Sequence, residues 1–294
     1  MIKPVLSSTP PRIRLENKPV FVADNLTVEI PRLKHGAVFL TVSNIVTQCA
    51  FCEYKLHLDY SRGREIKSFL RDGLEEHKRQ LGQTTTNLDF DIEPLPGERC
   101  PVIINVGEDG AVYFNSVMES RWILSLREEK ILVEPALVVL ARDQIPILAQ
   151  PDMAIFEDER SLILIELKTT IGRTDRLRQT EALQVLLYGL LFRTYGIDVE
   201  TYIVKTRRGA SFVLHRSIDD VLKAMQRARP IAQIRRGVVL HHVDQVPDSK
   251  LLENIKHALD YWTYRRNPIA MPEYNKCRIC QHSRVCPFRH PLLR

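Results

Sequence analysis

The chain has 294 residues, of which 44% are hydrophobic and 27% charged, with a formal net charge of +6. That balance suits a soluble globular protein with enough apolar content for a packed core. No apolar run approaches the roughly 20 residues of a membrane span, and Met1–Val20 mixes Pro, Ser and charges without the apolar run of a secretory signal, so a cytoplasmic protein with no membrane contact is expected.

In chain order, residues 1–40 read as an N-terminal extension, with Pro19–Ile30 forming a short hairpin about Ala23-Asp24-Asn25. Thr41 or Ser43 caps a helix running through Cys49, Cys52 and Leu58, and Arg62–Gln80 reads as a second helix carrying His77. Thr84–Pro101 is polar and Pro-containing, as surface loops are, and Asn115–Lys130 has helical spacing in Val117, Ile123, Leu124 and Leu126. The centre then turns β-branched and apolar. Ile131–Leu140, Pro146–Phe156 and Ser161–Leu167 are predicted strands, with Glu157–Arg160 as a hairpin turn. Glu181–Tyr195 is an apolar helix, followed by predicted strands at Val199–Lys205 and Ser211–His215 about the turn Arg207-Arg208-Gly209. Asp219–Arg236, interrupted at Pro230, and Ser249–Tyr264 read as helices, and Pro268–Arg294 is short, Pro-containing and Cys-rich. Strands flanked on both sides by helices imply an α/β fold with a central mixed sheet.

Three charged residues interrupt this apolar centre. Asp152 follows Pro151, and Glu166 and Lys168 sit two apart on the next strand, so they share a face while Leu167 points to the other. A carboxylate and an ammonium at the end of so apolar a strand are costly unless paired or bound to something. A strand-end salt bridge would explain them. So would phosphodiester hydrolysis, in which Asp152 and Glu166 hold a hard Mg²⁺ or Mn²⁺, with the Leu167 carbonyl as a further ligand. Lys168 would then orient water or stabilise transition-state charge. Gln184 and Tyr188, four apart on the apolar helix, present polar tips on one helix face. Glu134, on the preceding strand, is a further candidate ligand.

Five of the six cysteines fall into two groups, Cys49 with Cys52, and Cys277, Cys280 and Cys286, while Cys100 stands apart as a free thiol. In a reducing compartment such grouping favours a metal or cluster over disulfides. Cys286 precedes Pro287, as the last cysteine of a ferredoxin run does. Alternatively, Cys49-x2-Cys52 and Cys277-x2-Cys280 form a zinc-ribbon pattern, with His282 and His290 as other possible ligands, but that pattern leaves Cys286 unused.

Basic residues gather at Arg173, Arg176 and Arg178, directly after the Lys168 strand, at the turn Lys205, Arg207 and Arg208, and along Lys223–Arg236. Any of these could contact phosphates, with Arg173–Arg178 best placed. Tyr54, Phe69 and Tyr113 would stack bases if exposed, although core packing explains them equally well.

Six short motifs occur in order: Cys52-Glu-Tyr-Lys-Leu-His-Leu, Gly73–His77, Pro151-Asp152, Glu166-Leu-Lys168-Thr, Gln184-Val-Leu-Leu-Tyr188 and Cys277-x2-Cys280-x5-Cys286. In that order they resemble the RecB-like PD-(D/E)XK nucleases, most closely the iron–sulfur members, namely the CRISPR-associated RecB-like exonucleases and the exonuclease V group. The resemblance implies a restriction-endonuclease-like central mixed β-sheet flanked by helices, with a helical iron–sulfur lobe formed from both termini. It divides the chain into the extension 1–40, a helical segment 41–100 contributing Cys52 and His77, a nuclease core 101–245, and a C-terminal helix with cysteine cluster 246–294. It further implies a Mg²⁺ or Mn²⁺ ion on His77, Asp152 and Glu166, catalytic Lys168, and Gln184 and Tyr188 positioning the site or the DNA. A 4Fe-4S cluster on Cys52, Cys277, Cys280 and Cys286 and an arch that threads a single-stranded end complete the family pattern. The implied activity is exonucleolytic hydrolysis of single-stranded DNA in repair or processing. Processing of spacer precursors in CRISPR adaptation (antiviral defence), with integrase partners, is one alternative. A zinc-ribbon DNA-binding protein with an inactive nuclease site is another.

Overall fold

The computed structural model describes residues 33–37, 39–62, 79–80, 145–157, 161–194 and 196–293, together with strand segments between residues 3 and 29, 102 and 116, and 131 and 141. Among the described residues the strands form three sheets. The N-terminal strands β1 (Lys3–Pro4), β2 (Arg12–Arg14), β3 (Val20–Ala23), β4 (Leu26–Glu29) and β5 (Leu40–Thr41) are followed by β6 (Val102–Val106), β7 (Ala111–Ser116), β8 (Ile131–Val133) and β9 (Leu137–Leu140). Next come β10 (Pro146–Ala149), β11 (Met153–Phe156), β12 (Ser161–Thr170), β13 (Asp198–Arg207), β14 (Ile231–Arg235) and β15 (Val238–His242). The sheet that carries the candidate site is six-stranded, in the order β14-β15-β13-β12-β11-β8; the others run β1-β9-β10-β5 and β4-β3-β2-β7-β6.

The spine of the six-stranded sheet is β12. It pairs antiparallel with β11, Met153 opposite Ile165, and parallel with β13 along its whole length, from Ser161 opposite Asp198 to Thr170 opposite Arg207. A strand covered on both faces reads as a continuous apolar run, and period-two alternation splits its side chains between two cores. Leu162 and Leu164 enter a core shared with the helix α3 (Gln179–Arg193); Ile163, Ile165 and Leu167 enter a second core under Phe212, Leu214 and the helix α4 (Ile218–Met225). The same parity continues through Glu166 and Lys168, which therefore face α3. The helix approaches β13 closely at Gly189, where an added Cβ would meet Thr201 Cγ2 at 3.1 Å.

Upstream, Thr41 caps α1 (Val42–Val46): its hydroxyl accepts the Asn44 N–H at 3.1 Å, and Asn44 Oδ1 accepts the Thr41 N–H at 3.0 Å. A π-helical stretch, Thr47–Cys52, follows and leads into α2 (Glu53–Arg62). Farther on lie α5 (Asp248–Trp262) and α6 (Tyr274–Ile279). The two ends of the chain are joined through Glu53, which is fully buried. Arg266 holds it bidentately at 2.5 and 2.6 Å, the Ile269 N–H donates to it at 2.7 Å, and Gln48 donates to it at 2.9 Å. Trp262 Nε1 in turn donates to Gln48 Oε1 at 2.8 Å.

The hairpin at Pro19–Ile30 and the Thr41-capped helix through Cys49, Cys52 and Leu58 form as the sequence suggests. Pro146–Phe156 is two strands, because Pro151 offers no N–H to a ladder and the chain passes there from the four-stranded to the six-stranded sheet. Ile131–Leu140 divides between the same two sheets. Ser211–His215 is not a strand: it is a loop that buries Phe212 and Leu214 and enters a 3-10 turn at His215–Ser217. The predicted helix Asp219–Arg236 stops after α4. Its second half is β14, which turns at Gly237 (φ 75°) into β15, a strand absent from the sequence reading. Asn115 and Ser116 end β7 instead of starting a helix. The rest of that predicted helix, the Thr84–Pro101 loop, Cys100, Glu134, Phe69 and His77 lie outside the described residues. Among the described residues no helix is long and apolar enough to cross a membrane.

Removing one partner of a buried ion pair leaves the other charge uncompensated. Glu53→Ala should therefore lower unfolding stability by about 3–5 kcal/mol, read as a lower urea midpoint with little change in slope.

Candidate active site at the end of β12

Asp152 lies one residue before the last β11–β12 pair, so it faces Glu166 across the strands. Both carboxylates are buried, with 7% and 3% exposure. Asp152 Oδ2 accepts the Leu167 N–H at 2.6 Å, which locks the carboxylate to the strand that carries Glu166 and Lys168. Lys168 Nζ donates to Glu166 Oε1 at 2.6 Å and to Gln184 Oε1 at 2.9 Å. Gln184 Nε2 donates to the same Glu166 oxygen at 2.8 Å and to the Tyr188 hydroxyl at 2.9 Å. Four of the predicted site residues, Glu166, Lys168, Gln184 and Tyr188, thus form one hydrogen-bonded group between β12 and α3, and Asp152 is fixed beside it through the Leu167 N–H. Burial alone would lower the Lys168 ammonium, but the neighbouring Glu166 and Asp152 charges outweigh it and hold its pKa above the ordinary value. Burial, reinforced by the Glu166 charge, pushes the Tyr188 phenol well above its ordinary range. Tyr188 is therefore a neutral hydrogen-bonding group, further contacted by the Ser43 side chain.

Two buried groups support this arrangement and escaped the sequence reading. Lys205, expected on a basic surface turn, is 2% exposed; it pairs with Lys168 in register on β13 and faces the same side. Its ammonium donates to Glu181 Oε2 at 2.7 Å and to the Arg176 carbonyl at 2.6 Å. Glu181 also accepts the Arg178 N–H at 2.8 Å, so one carboxylate caps α3 and ties its first turn to the sheet. Only a strand-parity argument extended from β12 to β13 could have found Lys205. On the other sheet face, buried Gln80 accepts hydrogen bonds from Thr169 at 2.9 Å and Thr206 at 2.6 Å. Arg173, Arg176 and Arg178 are exposed in the segment between β12 and α3, with Arg173 paired to Asp175.

The donor chemistry suits a hard divalent cation: two buried carboxylates face each other on adjacent strands, and Mg²⁺ or Mn²⁺ needs few protein ligands because it retains waters. Among the described residues no three His, Cys, Asp or Glu side chains form a ready metal-holding group.

Elsewhere, Cys52, Cys277, Cys280 and Cys286 line one pocket with Met271 and Phe288. The Met271 N–H approaches Cys52 Sγ at 3.5 Å. Burial raises the Cys280 and Cys286 thiols, opposed by hydrogen bonds from the His282 and Phe288 backbones. Cys49 does not line this pocket. It packs against the main core near Asn254, and burial lifts its thiol to about 12. His282 is engaged with Asp59 at 2.8 Å, pinning the C-terminal segment to α2.

The sequence profile of the PD-(D/E)XK nuclease superfamily matches residues 112–287, more than half of the chain, and the chain belongs to that superfamily. Membership implies a nuclease, a hydrolase acting on nucleic acid, and nucleases of this kind typically use Mg²⁺ or Mn²⁺. Among solved structures, the crystal structure of SSO0001 aligns with a TM-score of 0.44 at 10% identity, over 86% of this chain and 88% of that one. No curated protein sequence matches the chain.

Tyr188→Phe removes the acceptor of a Gln184 hydrogen bond without disturbing the packing of α3. Nuclease turnover should fall about tenfold while stability changes by no more than about 1 kcal/mol; equal turnover in the two proteins would remove Tyr188 from the site.

Proposed function

We propose that this chain is a metal-dependent DNA exonuclease acting on single-stranded ends, with a structural 4Fe-4S cluster, in DNA repair or processing. The observation that carries the nuclease reading is the hydrogen-bonded group of Glu166, Lys168, Gln184 and Tyr188, with Asp152 held to the same strand by the Leu167 N–H, in a chain of this superfamily. Asp152 and Glu166, with His77, would hold Mg²⁺ or Mn²⁺, which supplies charge neutralisation at the phosphate and acidifies water. Lys168, kept cationic by the two carboxylates, orients the attacking water and stabilises charge that develops on the phosphate. Gln184 fixes Lys168 and Glu166 relative to each other, and Tyr188 fixes Gln184. Arg173, Arg176 and Arg178, exposed beside the site, would contact the DNA backbone. Action on single strands and from an end rests on the resemblance described above.

The cluster assignment rests on the resemblance described above; Cys52, Cys277, Cys280 and Cys286 line one pocket, and four thiols are the usual ligand set. Cys49, turned into the core, is badly placed for the zinc-ribbon alternative, as is His282, held by Asp59.

Anaerobically purified protein should degrade end-labelled single-stranded DNA with Mn²⁺, and both Glu166→Ala and Lys168→Ala should lose at least about a hundredfold in rate. A folded wild type inert on linear and circular DNA would sink the nuclease reading. Metal analysis should return about four irons per chain, reduced in Cys280→Ser; stoichiometric zinc instead would replace the cluster with a zinc site.

A further inference from the structure

A second group of side chains lies outside the site just described. His35 and Tyr60 stack with ring centroids 5.5 Å apart and planes 24° from parallel, and Tyr60 meets Trp262 edge-on at 5.0 Å. Tyr60 is 42% exposed and Tyr264 60%. The Lys34 ammonium donates one hydrogen bond to the Arg266 carbonyl at 2.7 Å and stands 4.3 Å from the ring centroid of the buried Tyr261 and 5.4 Å from that of Tyr264. His35 (φ 58°) and Tyr264 (φ 63°) are, among the described residues, the two non-glycine positions in the left-handed backbone region. Histidine adopts that region fairly often, but a bulky tyrosine there is an outlier, and such strain concentrates at ligand clamps and active sites. Tyr264 follows the end of α5, where glycine or asparagine usually sits.

The first turn of α1 touches both this group and the candidate active site. Asn44 Nδ2 donates to the Tyr60 hydroxyl at 3.4 Å, and the neighbouring residue Ser43 bonds Tyr188. From Tyr188 to Tyr60 the path is therefore only Ser43 and Asn44, along the first turn of α1.

We infer that the exposed rings of His35, Tyr60 and Tyr264, with the Lys34 ammonium among them, form a stacking platform for the single-stranded DNA whose end lies in the Asp152–Glu166 site. Aromatic faces accept any base, and an ammonium among them complements the phosphate backbone, which is the chemistry of sequence-tolerant single-strand binding. The platform rests on the nuclease reading above and adds to it the route of the strand outside the reacting phosphate. Tyr54, by contrast, packs its half-buried ring against Phe288 and His57.

The test uses the full chain with its metal centre intact. Binding of a fluorescein-labelled oligodeoxythymidylate is followed by anisotropy with Ca²⁺ in place of Mn²⁺, alongside hydrolysis with Mn²⁺ of both that oligonucleotide and thymidine 5′-monophosphate p-nitrophenyl ester, which is too short to reach the platform. Tyr264→Ala and Tyr60→Ala should each weaken oligonucleotide binding about fivefold or more and raise KM for the oligonucleotide alike. Hydrolysis of the ester should stay at the wild-type rate, and Tyr60→Phe should bind like wild type. Wild-type affinity in a folded Tyr264→Ala protein overturns the platform while leaving the nuclease reading intact, and this exposed position decides the matter even if Tyr60→Ala fails to fold. A wild type that neither binds nor cleaves DNA overturns both.

Discussion

Glu166 Oε1 accepts hydrogen bonds from both Lys168 and Gln184, and the rest of the site is arranged around that oxygen. A carboxylate on a strand buried on both faces is tolerated only with compensating donors. Period-two alternation places Lys168 beside it, and antiparallel pairing places Asp152 across from it. The α3 crossover then brings Gln184 and Tyr188 down onto the same face. The parallel β12–β13 ladder carries this order one strand farther, to Lys205, whose pairing with Glu181 fixes the first turn of the helix that delivers Gln184. A network of this kind rigidifies a site when every member has its partner.

Residues 48–53 and 262–269 are joined by similar means. Glu53, one residue after Cys52, is gripped by Arg266 and by the Ile269 N–H, so α2 and the segment leading to Cys277 are held in register. The Asp59–His282 contact fastens the segment again beyond Cys280. These polar links bring Cys52 to the pocket of the three C-terminal cysteines. The π-helical stretch separates Cys49, which packs into the core, from Cys52, which lines the pocket. Through Tyr261 and Trp262 the same junction also touches His35 and Tyr60.

Much of this was legible because it is written in alternation. Glu166 and Lys168 two apart, with Leu167 opposite, state the sheet face without any tertiary information. Gln184 and Tyr188 four apart do the same for the helix, and Cys277, Cys280 and Cys286 announce a shared pocket by their spacing. What was illegible depended on partners distant in sequence. Lys205 in Tyr-Ile-Val-Lys-Thr-Arg looks like the start of a basic turn until its register with Lys168 is known. Phe212 and Leu214 have strand-like spacing but anchor a loop, because Leu214 donates its N–H to the Gln80 carbonyl and not to a ladder. The charged helix predicted across Pro230 dissolves because the hairpin β14–β15 finds an edge to pair with on β13, an option no local pattern displays.

The central claim is that Asp152 and Glu166 face each other to hold a divalent cation beside Lys168. The most direct measurement is anomalous scattering at the manganese edge from crystals of the protein soaked in Mn²⁺. A manganese peak bridging the Asp152 and Glu166 carboxylates is the predicted result. A map from a well-ordered, saturated crystal with no peak there, and Lys168 still bonded to Glu166, would contradict it.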